Sequence, residues 1–366
     1  MTKTTTRYLS LDVFRGLDVA LMIIVNSPGS WSTSYSPLLH APWHGFRLTD
    51  IVFPTFLFVV GNSMSFSLDK YKAAGTSVFL RKVLKRSLLI FLIGFLLNWF
   101  PFFDKNGFIP PGEIRIFGVL QRIALCYGIA SLIIFYLKER YAMILGAALL
   151  LIYPIILHLF GDLTLEGNAA GKLDLLFINP DQLYGGEGIP FDPEGILSTL
   201  PAIVNVLAGY FCGKFLRKSG QNYQTLAIVL IAGALLTFAG LTWDLFLPIN
   251  KKLWTSSFVL YTVGIDLTFL AILIYFIDIK GWKKWTYFFE VFGKNTLFTY
   301  LLSIVMVILL LTFRIEDSSA YGWIYRHIFS NTFGPYAGSL GFALWVMLTC
   351  WTVGYLLDKK GIYIKI

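Results

Sequence analysis

Ten stretches of this chain, 8–26, 48–69, 86–103, 116–137, 141–160, 195–216, 223–247, 257–277, 285–313 and 338–357, are each apolar over roughly the length a helix needs to cross a bilayer. A segment in hydrocarbon must satisfy all of its own backbone N–H and C=O groups, which leaves helices and closed barrels as the only spanning structures. The runs are continuously apolar and do not alternate, so they predict helices. With 56% hydrophobic and 14% charged residues, little chain remains for a soluble domain. The expected fold is an all-α polytopic membrane protein: about ten transmembrane helices in one bundle, a single domain over 1–366. Its longest loop, about 161–194, is rich in glycine, proline and acids and splits the spans five and five. Loops of that length tend to be functional or mobile.

The net charge of +9 follows the loops and forms no stripe, so no nucleic-acid partner is expected. One side collects Lys3 and Arg7; Lys70, Lys72, Arg81, Lys82, Lys85 and Arg86; Lys138 and Arg140; Lys214, Arg217 and Lys218; Lys280, Lys283 and Lys284; and Lys359, Lys360 and Lys365. The other holds Arg47, Lys105, Arg115, Lys172, Lys251, Lys252, Arg314 and Arg326. Cytoplasmic loops carry the excess of Lys and Arg, which makes both termini cytoplasmic, as an even number of spans requires. The loop with His40 and the long 161–194 loop then face outward. Cys126, Cys212 and Cys350 are odd in number and lie inside spans, so neither a disulfide framework nor a thiolate metal cluster is expected. The first run has no small-residue cleavage site and is not read as a signal peptide. No Asn-x-Ser/Thr acceptor occurs, which fits a bacterial cytoplasmic (inner) membrane.

Charges inside spans are costly and mark function or structural pairing. Asp12 and Arg15 are three apart on one helical face, with Asp18 a turn further; they form either an ion pair locking helices or a polar floor beneath a site. Asn26, at the outer end of the same span, is placed to aim a carboxamide at the loop carrying His40. His40 and His44 have the i, i+4 spacing of a metal pair, but Pro42 between them disfavours the helix such a pair requires, so no metal is expected. A single imidazole, with an unperturbed pKa of about 6.5, suits a general base near neutrality. Asp50 is the carboxylate nearest that loop. Gln121 and Arg122 open the fourth span, where Arg122 either binds a carboxylate or phosphate or pairs with Asp12, Asp18 or Asp50. Lys251, Lys252 and Trp254 occupy another outward loop, as a sugar-binding group of cations and an aromatic or as an interfacial belt. Lys294, with Glu290 four residues before it and Asn295 after it, forms either a helix salt bridge or a contact for an anionic cofactor from the cytoplasm. Its Gly293-Lys294-Asn295-Thr296 stretch lacks the upstream glycine of a phosphate loop.

Five motifs in order, Ser10-Leu-Asp-Val-Phe-Arg-Gly16, His40-Ala-Pro-Trp-His-Gly45, Asp50-Ile-Val-Phe-Pro54, Gly118-Val-Leu-Gln-Arg122 and Asn250-Lys-Lys-Leu-Trp-Thr-Ser256, resemble the heparan-alpha-glucosaminide N-acetyltransferase family from about residue 7 to the C-terminus. The resemblance implies acetyl transfer across a membrane, from cytoplasmic acetyl-CoA to the amine of a terminal or free glucosamine on the other side. It implies that His40 is the catalytic histidine and Asn26 the active-site asparagine, and it suggests a homodimer. Asp18 departs from the apolar residue expected there. Direct transfer in a ternary complex is favoured over an acetyl-His40 intermediate. The rival readings are an O-acyltransferase of an envelope polysaccharide, separable by amide against ester product, and a solute transporter, which would accumulate substrate without consuming acetyl-CoA.

Overall fold

The computed structural model describes residues 8–104 and 107–364. Of the loop cations named above, Lys3, Arg7, Lys105 and Lys365 lie outside them, as does the side chain of Lys70.

Every apolar run is helical. In chain order the helices are α1 (Leu9–Asn26), α2 (Leu48–Ala73), α3 (Thr76–Trp99), α4 (Val119–Tyr136), α5 (Glu139–Phe160), a short α6 (Ala169–Phe177) in the long loop, α7 (Ile196–Ser219) and α8 (Tyr223–Asp244). Then follow α9 (Ser256–Leu273), which runs on as π-helix to Ile279, α10 (Thr286–Lys294), α11 (Thr296–Thr312), the short α12 (Ala320–Ile324) and α13 (Asn331–Phe333), and α14 (Pro335–Lys359). The strands among the described residues are two small hairpins, Phe103–Asp104 with Gly107–Phe108 and Arg314–Ile315 with Ser318–Ser319.

Among the described residues seven helices are both long and apolar enough to cross a membrane, and the α10–α11 pair raises the number to eight. The remaining two of the ten expected spans, α1 and α3, are 18 and 24 residues long but carry Asp12, Arg15 and Asp18, and Arg81, Lys82, Lys85 and Arg86. Helix α3 starts ten residues before the expected position 86, because Lys and Arg are good helix formers that hydropathy discounts. The ninth run differs more. It is two helices meeting at 84°, broken at Asn295, whose φ of −125° and ψ of 41° leave the helical region.

Small residues let the central helices meet backbone to backbone. A Cβ at Gly61 of α2 would lie 1.8 Å from the Val206 carbonyl oxygen of α7, and one at Gly209 of α7 would lie 1.9 Å from that of Phe58. In a membrane, where lipid tails are as apolar as Leu, such close packing is a main source of helix association. Helix α1 is anchored by Asp278, whose carboxylate accepts from the Leu9 N–H at 3.1 Å and from the Ser10 hydroxyl, satisfying two donors of the first turn. Further up α1, Phe14 packs on Phe58 of α2 and Phe269 of α9, with ring centroids 6.4 and 5.8 Å apart.

Candidate active site

Two cavities lie along the same pair of helices. The first, about 220 Å³, is walled by Val52 and Phe53 of α2 and Val119 of α4, and it holds His40, Asn26, Asp50, Lys251 and Lys252. The second, about 410 Å³, takes the next turns of both helices, Phe56, Val59, Val60 and Ser63 and then Leu120, Ile123 and Tyr127, and it is edged by Arg15, Arg86 and Lys294.

At the His40 end the organising residue is Asp50, in the first turn of α2. Its Oδ2 accepts from the N–H of Arg47 at 2.9 Å and of Ala41 at 3.1 Å, and its Oδ1 meets His40 Nδ1 at 2.7 Å. The Arg47 bond is the acidic half of a capping box; the residue type at the cap position, an arginine, has no acceptor to complete it. The Asp50 side chain is 1% exposed and the His40 side chain 39% exposed, so a buried carboxylate holds an imidazole that faces the cavity. The tautomer with its proton on Nδ1 satisfies Asp50 and leaves Nε2 as the basic nitrogen. Lys251 Nζ lies 3.1 Å from Nδ1 and 3.2 Å from Nε2. Burial pulls the His40 pKa below its ordinary value and the neighbouring Lys251 pulls it further; the Asp50 hydrogen bond opposes both.

The wall is completed by residues far apart in sequence. Lys252 donates to the Pro42 carbonyl at 2.7 Å and is ion-paired with Glu187. Arg115 bridges Asp192 and Glu194 at 2.7 and 2.6 Å and lies over the Tyr184 ring. Those carboxylates hold the Arg115 guanidinium firmly charged, and Arg115 keeps Glu194 below the usual carboxylate range against the desolvation that would raise it. Tyr300 of α11 reaches the same cavity. None of Arg115, Tyr184, Glu187, Glu194 and Tyr300 is among the site residues expected from the sequence, where Arg115 counts only as a loop cation and Glu187 and Glu194 only among the acids of the long loop. Asn26, the last residue of α1, presents an exposed carboxamide that has no hydrogen-bond partner among the described residues.

The other expected site residues fall into three places. Asp12 and Arg15 are an ion pair at 3.6 Å, and Arg15 also donates to Ser63 at 2.6 Å on the wall of the second cavity. Lys294 joins that cavity, but its partner is Asp358 of α14 at 2.9 Å and not Glu290, which instead accepts from Thr286. Asn295 ties the chain end to the helix break: its Nδ2 donates to the Ile362 carbonyl at 3.1 Å and its Oδ1 accepts from Ile364 N–H at 2.9 Å. The third group is buried between helices. Gln121 packs against Gly94 of α3. Arg122 is fully buried, donates to Ser198 and the Gly195 carbonyl, and lies 4.9 Å over the Trp254 ring, so its partner is none of Asp12, Asp18 and Asp50. Trp254 is 1% exposed, bonded to Asn205 at 3.0 Å and packed behind Phe53, so it presents no face to the cavity. Asp18, 2% exposed, lies in the helix interior, its Oδ2 without a hydrogen-bond partner among the described residues. His44 turns from His40 to Asn250 at 3.3 Å. No group of three metal-ligating side chains occurs among the described residues.

This arrangement defines a class, a polytopic membrane protein with a histidine–aspartate pair at a cavity in its helix bundle. Residues 7–243 match the family model described as Heparan-alpha-glucosaminide N-acetyltransferase, catalytic, and the chain belongs to that family. It is 27% identical to the heparan-alpha-glucosaminide N-acetyltransferase of Homo sapiens, over 98% of this chain and 60% of the human protein. It is 26% identical to that of Mus musculus, over 99% of this chain and 61% of the mouse protein. The chain thus spans about three fifths of the length of these two relatives.

Proposed function

We propose that the chain moves an acetyl group from acetyl-CoA, entering at the Lys294 end, to the amine of a glucosamine-type sugar bound at the His40 end. The observation that carries this reading is the placement of two cavities on consecutive turns of α2 and α4, one edged by three cations and one holding a histidine–aspartate pair. Arg15, Arg86 and Lys294 suit the phosphates of the nucleotide, and the apolar wall between Phe56 and Ile123 suits the uncharged pantetheine arm. The long side chains at the His40 end offer hydrogen bonds to a sugar: the Glu187, Glu194 and Tyr184 oxygens and the Lys252 ammonium. Family membership and the names of the human and mouse relatives support the same chemistry. The face bearing His40 is, in this reading, the outer one.

An amine attacks a thioester only after losing its extra proton. His40 Nε2 takes that proton, and the Asp50 carboxylate, bonded to Nδ1–H, stabilises the resulting imidazolium. The amine nitrogen bonds to the carbonyl carbon, and the Asn26 carboxamide donates to the developing oxyanion. The C–S bond then breaks, the nitrogen gives up its second proton to the departing CoA thiolate, which leaves as the thiol, and His40 releases the first proton to solvent. Amide and free CoA are the products, and direct transfer needs no acetylated histidine.

The test is thioester cleavage by the purified protein with and without glucosamine. His40→Ala should lower sugar-dependent cleavage by about 10²–10⁴-fold, with CoA binding and thermal unfolding unchanged. Near-normal acetylation by that variant would remove His40 from the mechanism. Uptake of sugar into proteoliposomes without thioester cleavage would replace an enzyme with a transporter.

A further inference from the structure

Lys251 and Lys252 are neighbours on one loop and have opposite surroundings. Lys252 is neutralised by Glu187 and held by the Pro42 carbonyl. Lys251 has no carboxylate within ion-pair distance among the described residues; its nitrogen lies instead against both ring nitrogens of His40, at 3.1 and 3.2 Å. Nδ1 is engaged with Asp50 at 2.7 Å, so Nε2 is the ring nitrogen left to take a proton from Lys251. Two cations this close exclude one another, so Lys251 and His40 carry one positive charge between them. When the proton sits on Nε2, stabilised by Asp50, Lys251 is a neutral amine.

That is the relation the mechanism requires between His40 and the amine of the sugar. A base must lie within about 2.6–3.2 Å of the proton-bearing atom it serves, and Lys251 Nζ is 3.2 Å from Nε2 on the wall of the same cavity. Burial pulls the Lys251 ammonium pKa down, and Lys252 pulls it further, while Asp50 and Glu194 oppose them. Lys251 therefore stands where the acceptor nitrogen must stand.

We propose that Lys251 is an acetylation site of this chain: when no sugar occupies the cavity, its ε-amine accepts the acetyl group and closes the site. The step rests on the acetyl-transfer reading above and balances in the same way. The ammonium gives a proton to Nε2, the freed amine bonds to the thioester carbonyl carbon, the C–S bond breaks, the second proton shed by the nitrogen leaves with CoA as its thiol, and His40 returns the first proton to solvent. The product is a neutral ε-N-acetyl-lysine. Thiols do not reverse an amide, so the modified chain stays silent, and a bound sugar protects Lys251 by filling the space its amine would use.

The experiment incubates the full chain in detergent micelles with isotope-labelled acetyl-CoA, with and without glucosamine, and reads the loop peptide by mass spectrometry. Label is expected on Lys251 without sugar, lost when glucosamine is saturating, and absent from Lys252, the internal control. The label should disappear from the peptide in Lys251→Arg and fall in His40→Ala. Glucosamine acetylation with Lys251 unlabelled overturns this proposal and leaves the transferase reading standing. Equal label on Lys251, Lys252 and surface lysines overturns it as well, because that is undirected chemistry. Neither acetyl-glucosamine nor labelled protein overturns both.

Discussion

Asp50 carries more of the site than its single negative charge suggests, because its two oxygens serve three donors at once. Two of them, the backbone N–H groups of Ala41 and Arg47, fix the loop on which His40 is mounted. The third, His40 Nδ1, sets the tautomer. In Asp50→Asn one of these contacts must face an amide N–H, leaving a buried donor unsatisfied at about 1–3 kcal/mol and Nδ1 without its acceptor. The expected outcome is a loss of about 10²-fold or more in kcat, with a lowered melting temperature and CoA binding intact. Unchanged kcat in a folded variant would sink the dyad. At this scale the candidate site was legible wherever its residues carry a local mark: His40 beside Pro42 in a polar loop, Asn26 at a helix end, paired lysines after a proline. Arg115, Tyr184 and Tyr300 left none. They come from three separate segments that the tertiary fold brings to one cavity, and nothing in each one's neighbours distinguishes a wall residue from an ordinary interfacial one. Trp254 and Arg122 fail in the reverse direction. An aromatic and a guanidinium near the membrane edge look like ligand contacts, yet each is the other's partner, buried at 4.9 Å.

Among the elements, the break between α10 and α11 bears most directly on function. Run 285–313 contains no proline and is apolar almost throughout, so hydropathy reads it as one span. The 84° bend is written in contacts that local sequence does not encode. The Asn295 side chain bonds Ile362 and Ile364 of the chain end, and Lys294, one residue earlier, pairs with Asp358. The other spanning helices were legible because their signal, some twenty apolar residues, is local. Ile364 and Lys294 both line the larger cavity, so the break and the tail shape one wall of it. Asn295→Ala removes two hydrogen bonds worth about 0.5–1.5 kcal/mol each and frees that wall. The KM for acetyl-CoA should rise by roughly tenfold, the equivalent of about 1.4 kcal/mol, while the KM for glucosamine stays put. Equal rises in both constants would indicate a general loosening of the bundle and refute a role confined to the thioester side.

For the whole molecule the decisive question is which compartment each end of the bundle meets. In the proposed orientation, which rests on the excess of Lys and Arg in the loops of one side, the Lys294 end meets the cytoplasm and the His40 end the outside. A two-sided reaction with its base on one side then has a one-sided pH dependence. As the proposed base, His40 can act only when neutral, and its pKa is lowered, by burial first and by Lys251 second. A lowered pKa keeps the imidazole neutral into more acidic solution, so activity should hold as the outer pH falls from neutrality. It should be lost only below the ordinary imidazole value of about 6.5. In sealed proteoliposomes with acetyl-CoA inside and sugar outside, the midpoint should follow the outer pH alone. Changing only the inner pH should leave the rate unchanged. Lys251→Ala removes one of the two causes of the lowering, so its midpoint must move toward higher pH, the opposite of what loss of Asp50 would do. A midpoint above 6.5, or one that tracks the inner compartment, would refute both the orientation and the assignment of His40 as the base that meets the sugar.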